Sequence, residues 1–396
     1  MTEAELETSE AAPAPPPMRA FLGYFLRLGS LGFGGPIALA GYMQRDLVER
    51  RKWISKQDYI EGLALAQLAP GPLAAQLAIY LGWVRGKVLG ATLVSAAFVL
   101  PSFVMVLALS ALYVEFGGLS WMQGAFYGIG AAVIAIIARS VVKLVRMTLG
   151  RDKLLWGIFA ASALATAWTE SEIVWLFLLA GAVALVVKAP PAWARGRGAA
   201  VVAPGSLGWV LSGIDGPASA GLLTKIGIYF AEAGAFVFGS GLAIVPFLHA
   251  GVVKDFGWLS ERQFLDAVAV AMITPGPVVI TVAFIGYLVG GLAGATVASI
   301  GVFLPCYLFV VIPAPFNRRF AGNRSLKAFV DGVTAAATGA IAGAAFVLGR
   351  RAIFDVPTAL LAVATLLLLL RFRKVSEPVV ILAAGALGIL LRAVLP

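Results

Sequence analysis

The sequence has one cysteine, Cys306, and one histidine, His249. A single thiol excludes disulfides within the chain and thiolate metal clusters, and a single imidazole argues against a histidine-rich metal carrier. Both residues read as structural. Charge is also scarce: 13% of residues are Asp, Glu, Lys or Arg against 60% hydrophobic, and the mean hydropathy is +0.94. A soluble chain of 396 residues needs far more polar surface, so the composition describes a polytopic membrane protein. Several apolar stretches approach or exceed the roughly 20 residues that span hydrocarbon. Residues 1–17 are acidic and Pro/Ala-rich, without the basic start and apolar core of a secretion signal, and read as a disordered tail. The net charge of +10 reflects loop positives that set orientation, not a nucleic-acid partner.

Against this background one tripeptide occurs twice. Pro70-Gly71-Pro72 and Pro275-Gly276-Pro277 each end one apolar run and start the next. A helix cannot run through Pro-Gly-Pro, because proline lacks a donor and clashes with the preceding turn. Broken backbone at membrane depth is tolerated only where it is buried in protein or lines a cavity. Matched breaks in two halves of one hydrophobic chain point to the binding site of a secondary transporter.

The repeat extends beyond the breaks. Gly34 matches Gly239, Trp53 matches Trp258 and Pro70 matches Pro275 at an offset of 205, while Leu100-Pro101 matches Leu304-Pro305 at 204. The chain therefore divides into a tail (1–17), a first repeat (18–187), a Pro-, Gly- and Arg-rich linker (188–221) and a second repeat (222–396). Lys and Arg mark the loops at Arg85–Lys87 and Arg146–Lys153 in the first repeat, and those at 318–327 and 371–374 in the second. Equivalent loops thus carry opposite bias, which gives opposite orientations by the positive-inside rule. Arg350 and Arg351 violate the scheme. The expected fold is an all-α polytopic membrane protein of two inverted-topology repeats. Each has about five transmembrane helices plus a re-entrant Pro-Gly-Pro hairpin, with both termini outside.

Chemistry centres on the breaks. Helices starting after Pro36, Pro72 and Pro277 aim free N–H groups and about half a positive charge back into them. Converging ends of this kind suit a compact tetrahedral oxyanion. Candidate ligands are Gly34, Gly35 and Pro36; Gln67, Pro70, Gly71, Pro72 and Gln76; Gly239, Ser240 and Gly241; and Thr274, Pro275, Gly276, Pro277 and Thr281. Arg27 joins them, since a charge at bilayer depth costs about 2.5–3.5 kcal/mol and usually faces a partner or a pathway. Its counterpart is Glu232, so the two could pair, or Arg27 could bind the anion; snorkelling to the interface is the bland alternative. Glu61 and Asp266, each nine residues before a break, are expected to cap their helices, with proton or ion coupling as the alternative. Asn and Asp are almost absent from these runs, so no carboxylate cage for a divalent cation is expected. Nor is an acid–base or nucleophile set for an intramembrane enzyme.

At these residues the chain resembles the chromate ion transporter family, long-chain two-domain type. The resemblance rests on Phe25-Leu26-Arg27-Leu28-Gly29 with Phe33-Gly34-Gly35-Pro36, on Leu65 to Pro72, and on Tyr80-Leu81-Gly82. In the second repeat it rests on Phe238-Gly239-Ser240-Gly241, Trp258-Leu259-Ser260, Thr274 to Pro277 and Gly286-Tyr287. It implies export of chromate across the bacterial inner membrane, driven by the membrane gradient in antiporter fashion, and hence chromate resistance. Sulfate shares the shape and charge of chromate and is the alternative ion. No cofactor is implied; the partners are the oxyanion and the lipid bilayer, and a homodimer stays open. Alternating access would come from one repeat rocking against the other.

Overall fold

The computed structural model describes residues 17–33, 35–116, 120–169, 174–189, 220–236, 244–316, 324–372, 375 and 377–394, all helix, turn or irregular chain without a strand. The first repeat comprises α1 (Met18–Leu31), α2 (Gly35–Met43, continued by a π-helical stretch Gln44–Arg50), α3 (Lys56–Leu68), α4 (Leu73–Phe116), α5 (Ser120–Thr148), α6 (Lys153–Thr169) and α7 (Val174–Lys188). The second comprises α8 (Ala220–Phe236), α9 (Ile244–His249), α10 (Glu261–Ile273), α11 (Thr281–Val311), α12 (Arg324–Ala352), α13 (Val356–Arg371) and α14 (Glu377–Val394).

The helices before the two breaks start on serines. Ser55 accepts a hydrogen bond from the Asp58 backbone N–H at 3.0 Å, and Ser260 forms a reciprocal box with Gln263. Glu61 and Asp266 therefore do not cap α3 and α10. They lie inside those helices, more than a turn past the serines, whose short side chains reach the first-turn donors better. Beyond each break the chain turns through a glycine in the left-handed region, Gly71 at φ +136° and Gly276 at φ +100°. The arms around the first break return side by side: Tyr80 lies so close over Gly62 that a methyl there would sit 2.3 Å from the ring.

α4 and α11 are themselves broken, at Gly86–Lys87 and Gly290–Gly291. At each turn two glycines touch, Gly82 on Gly90 and Gly286 on Gly294, so the following arm doubles back against the preceding one. The long second arms of α4 and α11 then meet head to tail. Thr92, near the start of one, lies 2.7 Å from the Tyr307 hydroxyl near the end of the other.

The sequence repeats are not the packing units. α1 packs on α4, α8 on α11, and α4 on α11, so the first parts of both repeats make one body. The last helices are exchanged: α6 and α7 lie against α12 of the second repeat, and α13 and α14 against α5 of the first. Glycines set these contacts. Gly339 and Gly343 take the Phe159 and Ala163 carbonyls of α6, and Gly128 takes the Ala384 carbonyl of α14. A glycine-lined groove admits a neighbouring backbone where a side chain would hold it off.

Among the described residues, four helices are long and apolar enough to cross a membrane, within 73–116, 121–146, 278–316 and 324–352. α7 and α13 are apolar but shorter. At about 1.5 Å per residue α7 is shorter than a ~30 Å hydrocarbon core. The expected count of about five crossings per repeat is thus met only in part by length and apolarity. Large apolar side chains cover the outside: Leu164 is 71% and Trp168 90% exposed on α6. Such a surface needs lipid, and the chain is a multi-pass membrane protein.

Candidate functional site

Each Pro-Gly-Pro break is buried and seats on the opposite repeat. The Gly276 N–H donates to the Gly32 carbonyl at the end of α1 at 3.0 Å, and the Ser102 hydroxyl donates to the Pro275 carbonyl at 2.8 Å. Ser102 also lies 3.3 Å from the Gly29 carbonyl, so α1, α4 and the second break are tied at one point. The first break has the equivalent neighbour without the equivalent bond, since the Pro70 carbonyl takes the Gln76 amide of its own repeat. Gly71 faces the Cys306 sulfur, which in turn reaches the Gly234 carbonyl of α8 at 3.5 Å. Ser102 and Cys306 are equivalent residues, one after each Leu-Pro of the repeat, as are Gly29 and Gly234. Neither Ser102 nor a role for Cys306 at the break is foreseen from the sequence, although the position following the repeated Leu-Pro carried the signal.

Polar groups around the breaks differ between the copies. The Gln76 side chain is fully buried; its amide donates to the Pro70 carbonyl, while its Oε1 is left without a partner. A buried acceptor of this kind costs about 1–3 kcal/mol and marks the first break as polar and incompletely satisfied. Thr281, its counterpart, bonds the Val278 carbonyl, and Thr274 bonds the Val270 carbonyl, so both hydroxyls donate within their own segments. Gln67 is exposed at the last turn of α3. Pro36 stands in the first turn of α2 and Pro72 directly precedes α4, whereas after Pro277 a 3₁₀ turn, Val278–Ile280, intervenes before α11. Gly34 and Gly239-Ser240-Gly241 lie outside the described residues, as does the Gly35 environment.

Arg27 and Glu232 are exposed on α1 and α8, and no ion pair joins them. The pairing allowed by symmetry is therefore not made. Arg27 lies two residues before Gly29 on α1, so its exposed side chain points to the opposite face from the seat of the second break.

The sequence pattern of the family described as chromate transporter matches residues 19–186 and again 224–389. This chain belongs to that family. A chromate transport protein of Cupriavidus metallidurans is 60% identical over 376 residues, covering 94% of this chain and 92% of the relative. A probable chromate transport protein of Synechococcus elongatus is 56% identical, covering 93% and 94%. A chromate transport protein of Pseudomonas aeruginosa is 34% identical, covering 96% and 94%. No solved structure matches the chain. The two matched stretches of the chromate transporter family stop short of the linker, and each holds one break together with the residue that stands against the other break.

In this chromate transporter family member the carboxylates before the breaks are held by tyrosines rather than by helix ends. The Tyr113 hydroxyl on α4 donates to Asp266 Oδ2 at 2.8 Å, and Asp266 is 4% exposed. Glu61 has Tyr80 at 3.4 Å and takes a bond from Gln57 at 2.9 Å. The symmetry breaks here: Tyr80 belongs to the same hairpin as Glu61, whereas Tyr113 reaches Asp266 from the other repeat. A tyrosine 153 residues away cannot be assigned to Asp266 from spacing. His249 and Cys306 hold structural positions, His249 Nε2 lying 2.7 Å from Glu261 Oε2.

Proposed function

We propose that this chain is a secondary active transporter, not an enzyme, that exports chromate across the bacterial inner membrane and thereby confers resistance. Sulfate or another inorganic oxyanion is the alternative cargo. The observation that carries the reading is that a left-handed glycine at each break faces the opposite repeat, with the second break bonded to it through Gly32 and Ser102. Backbone broken inside the protein is a setting in which helix ends can meet a small dianion. The names of the relatives supply the ion. Inverted repeats with re-entrant hairpins are supported by the head-to-tail meeting of α4 and α11 and by the contact of Tyr80 with Gly62. The exchange of the last helices argues that alternating access moves the body built on α4 and α11 against the bundle of α5–α7 and α12–α14, rather than one repeat against the other.

The test is flux of labelled chromate, sulfate and molybdate in inside-out vesicles with an imposed gradient. Saturable chromate uptake that follows a counter-ion is expected; uncoupled, non-saturating flux would mean a channel. Arg27→Ala is expected to remove at least nine-tenths of the flux while the protein still inserts. Arg27→Lys should keep part of it, because charge survives and only the bidentate geometry is lost. Normal flux in Arg27→Ala would remove Arg27 from the anion's path.

A further inference from the structure

A cleft of about 590 Å³ lies between the two bodies, where the start of α10 meets α5, the ends of α12 and α14 and the start of α13. Three arginines line it from three helices: Arg262 on α10, Arg351 on α12 and Arg392 on α14. We propose that this cleft is a second site for the transported oxyanion, with Arg262 of one body and Arg392 of the other as its ligands. The proposal rests on the transport reading for the identity of the ion.

Three carboxylates balance the three arginines in charge, but their acceptor oxygens have partners. Glu261 takes Arg351 and His249, Asp266 takes the Tyr113 hydroxyl, and Asp355 takes the Tyr127 hydroxyl at 2.6 Å and the Thr358 N–H at 2.8 Å. Arg262 makes one long bond, 3.4 Å to the Gln123 carbonyl, and both Arg262 and Arg392 are exposed to the cleft. A guanidinium carries five donors in a fork that fits two oxygens of a tetrahedral anion, so donor capacity is left over in this cleft. The volume exceeds that of a bare tetrahedral ion, which leaves room for part of its water shell.

Symmetry sharpens the argument. The positions equivalent to Arg262, Arg351 and Arg392 in the first repeat are Gln57, Met147 and Lys188, and Lys188 is bonded to Asp152 at 2.6 Å. The arginine set is thus not a by-product of duplication; it exists at one end of the molecule only. Arg351, which breaks the charge rule, lines this cleft and pairs with Glu261.

The variant Arg262→Gln/Arg392→Gln returns position 262 to the residue found in the first repeat. In proteoliposomes of phosphatidylcholine and known orientation, it is expected to raise the half-saturating chromate concentration at least fivefold when the ion is offered at the cleft face, and not when it is offered at the opposite face. Equilibrium dialysis of purified protein with labelled chromate should find one fewer ion bound per chain. The assignment is overturned if stoichiometry is unchanged, if half-saturation shifts on both faces alike or on neither, or if the effect appears only when phosphatidylglycerol is present, since the cleft would then hold a lipid phosphate. Ion binding lost in the variant, with no flux even in the unmodified chain, would leave the site standing and remove the transport reading alone.

Discussion

Alanine at position 276 is expected to abolish oxyanion flux, by at least tenfold at saturating ion, and to destabilise the purified protein. Gly276 sits at φ +100°, where a side chain is strained by about 1–3 kcal/mol. Its methyl would stand 2.0 Å from the Ser102 hydroxyl oxygen, so Ser102 would have to give up its bond to the Pro275 carbonyl. Leaving those buried groups unpaired adds about 1–3 kcal/mol. The double variant Gly276→Ala/Ser102→Ala should recover part of the stability, because it removes the obstructing oxygen but not the backbone strain. Gly71→Ala should be milder: the conformation is equally disfavoured at φ +136°, but the nearest atom is the end of the flexible Gln76 side chain. Gly23, with open space around it, is the matched control. The checks are vesicle flux and thermal unfolding in detergent. A Gly276→Ala protein with the flux and melting temperature of the Gly23→Ala control would show that this turn is neither strained nor required.

The second large effect is expected at Gly128→Val, which addresses the exchange of helices between repeats. A Cβ there would lie 2.0 Å from the Ala384 carbonyl and 2.9 Å from the Gly388 backbone. Overpacking costs about 1–3 kcal/mol in general, and backbone atoms on both sides leave no flexible group to give way. α14 would be pushed off α5, and with it the link between the halves. Loss of the monodisperse peak in size-exclusion chromatography, with a melting temperature lowered by several degrees, is the expected outcome. Gly157→Val on α6, a position with nothing within 4 Å, should behave like the parent chain. Equal behaviour of the two valine variants would mean that α14 is not seated on α5.

Much of this molecule can be read in its residues, and the failures have identifiable causes. The offsets of 205 and 204 predict the duplication, and both family matches follow it. Helix breakers and apolar length act locally, so their effects survive any tertiary context. The caps were legible too, since Ser260 with Gln263 three residues on spells a capping box. By contrast, Tyr113 with Asp266 and Ser102 with Pro275 join residues 153 and 173 apart, and periodicity carries no record of such partners. Arg27 and Glu232 show the opposite error, for symmetry-related positions need not touch.

By itself the sequence determined that the chain is helical, lipid-embedded, duplicated and twice interrupted, because proline, glycine and hydrophobic run length dictate those properties over a few neighbouring residues. Tertiary structure alone decided that the repeats exchange their last helices, that each interruption rests on the opposite copy, and that three arginines share a cleft. Those outcomes depend on which glycine-lined faces fit which backbones, a complementarity that exists only between surfaces once they are formed.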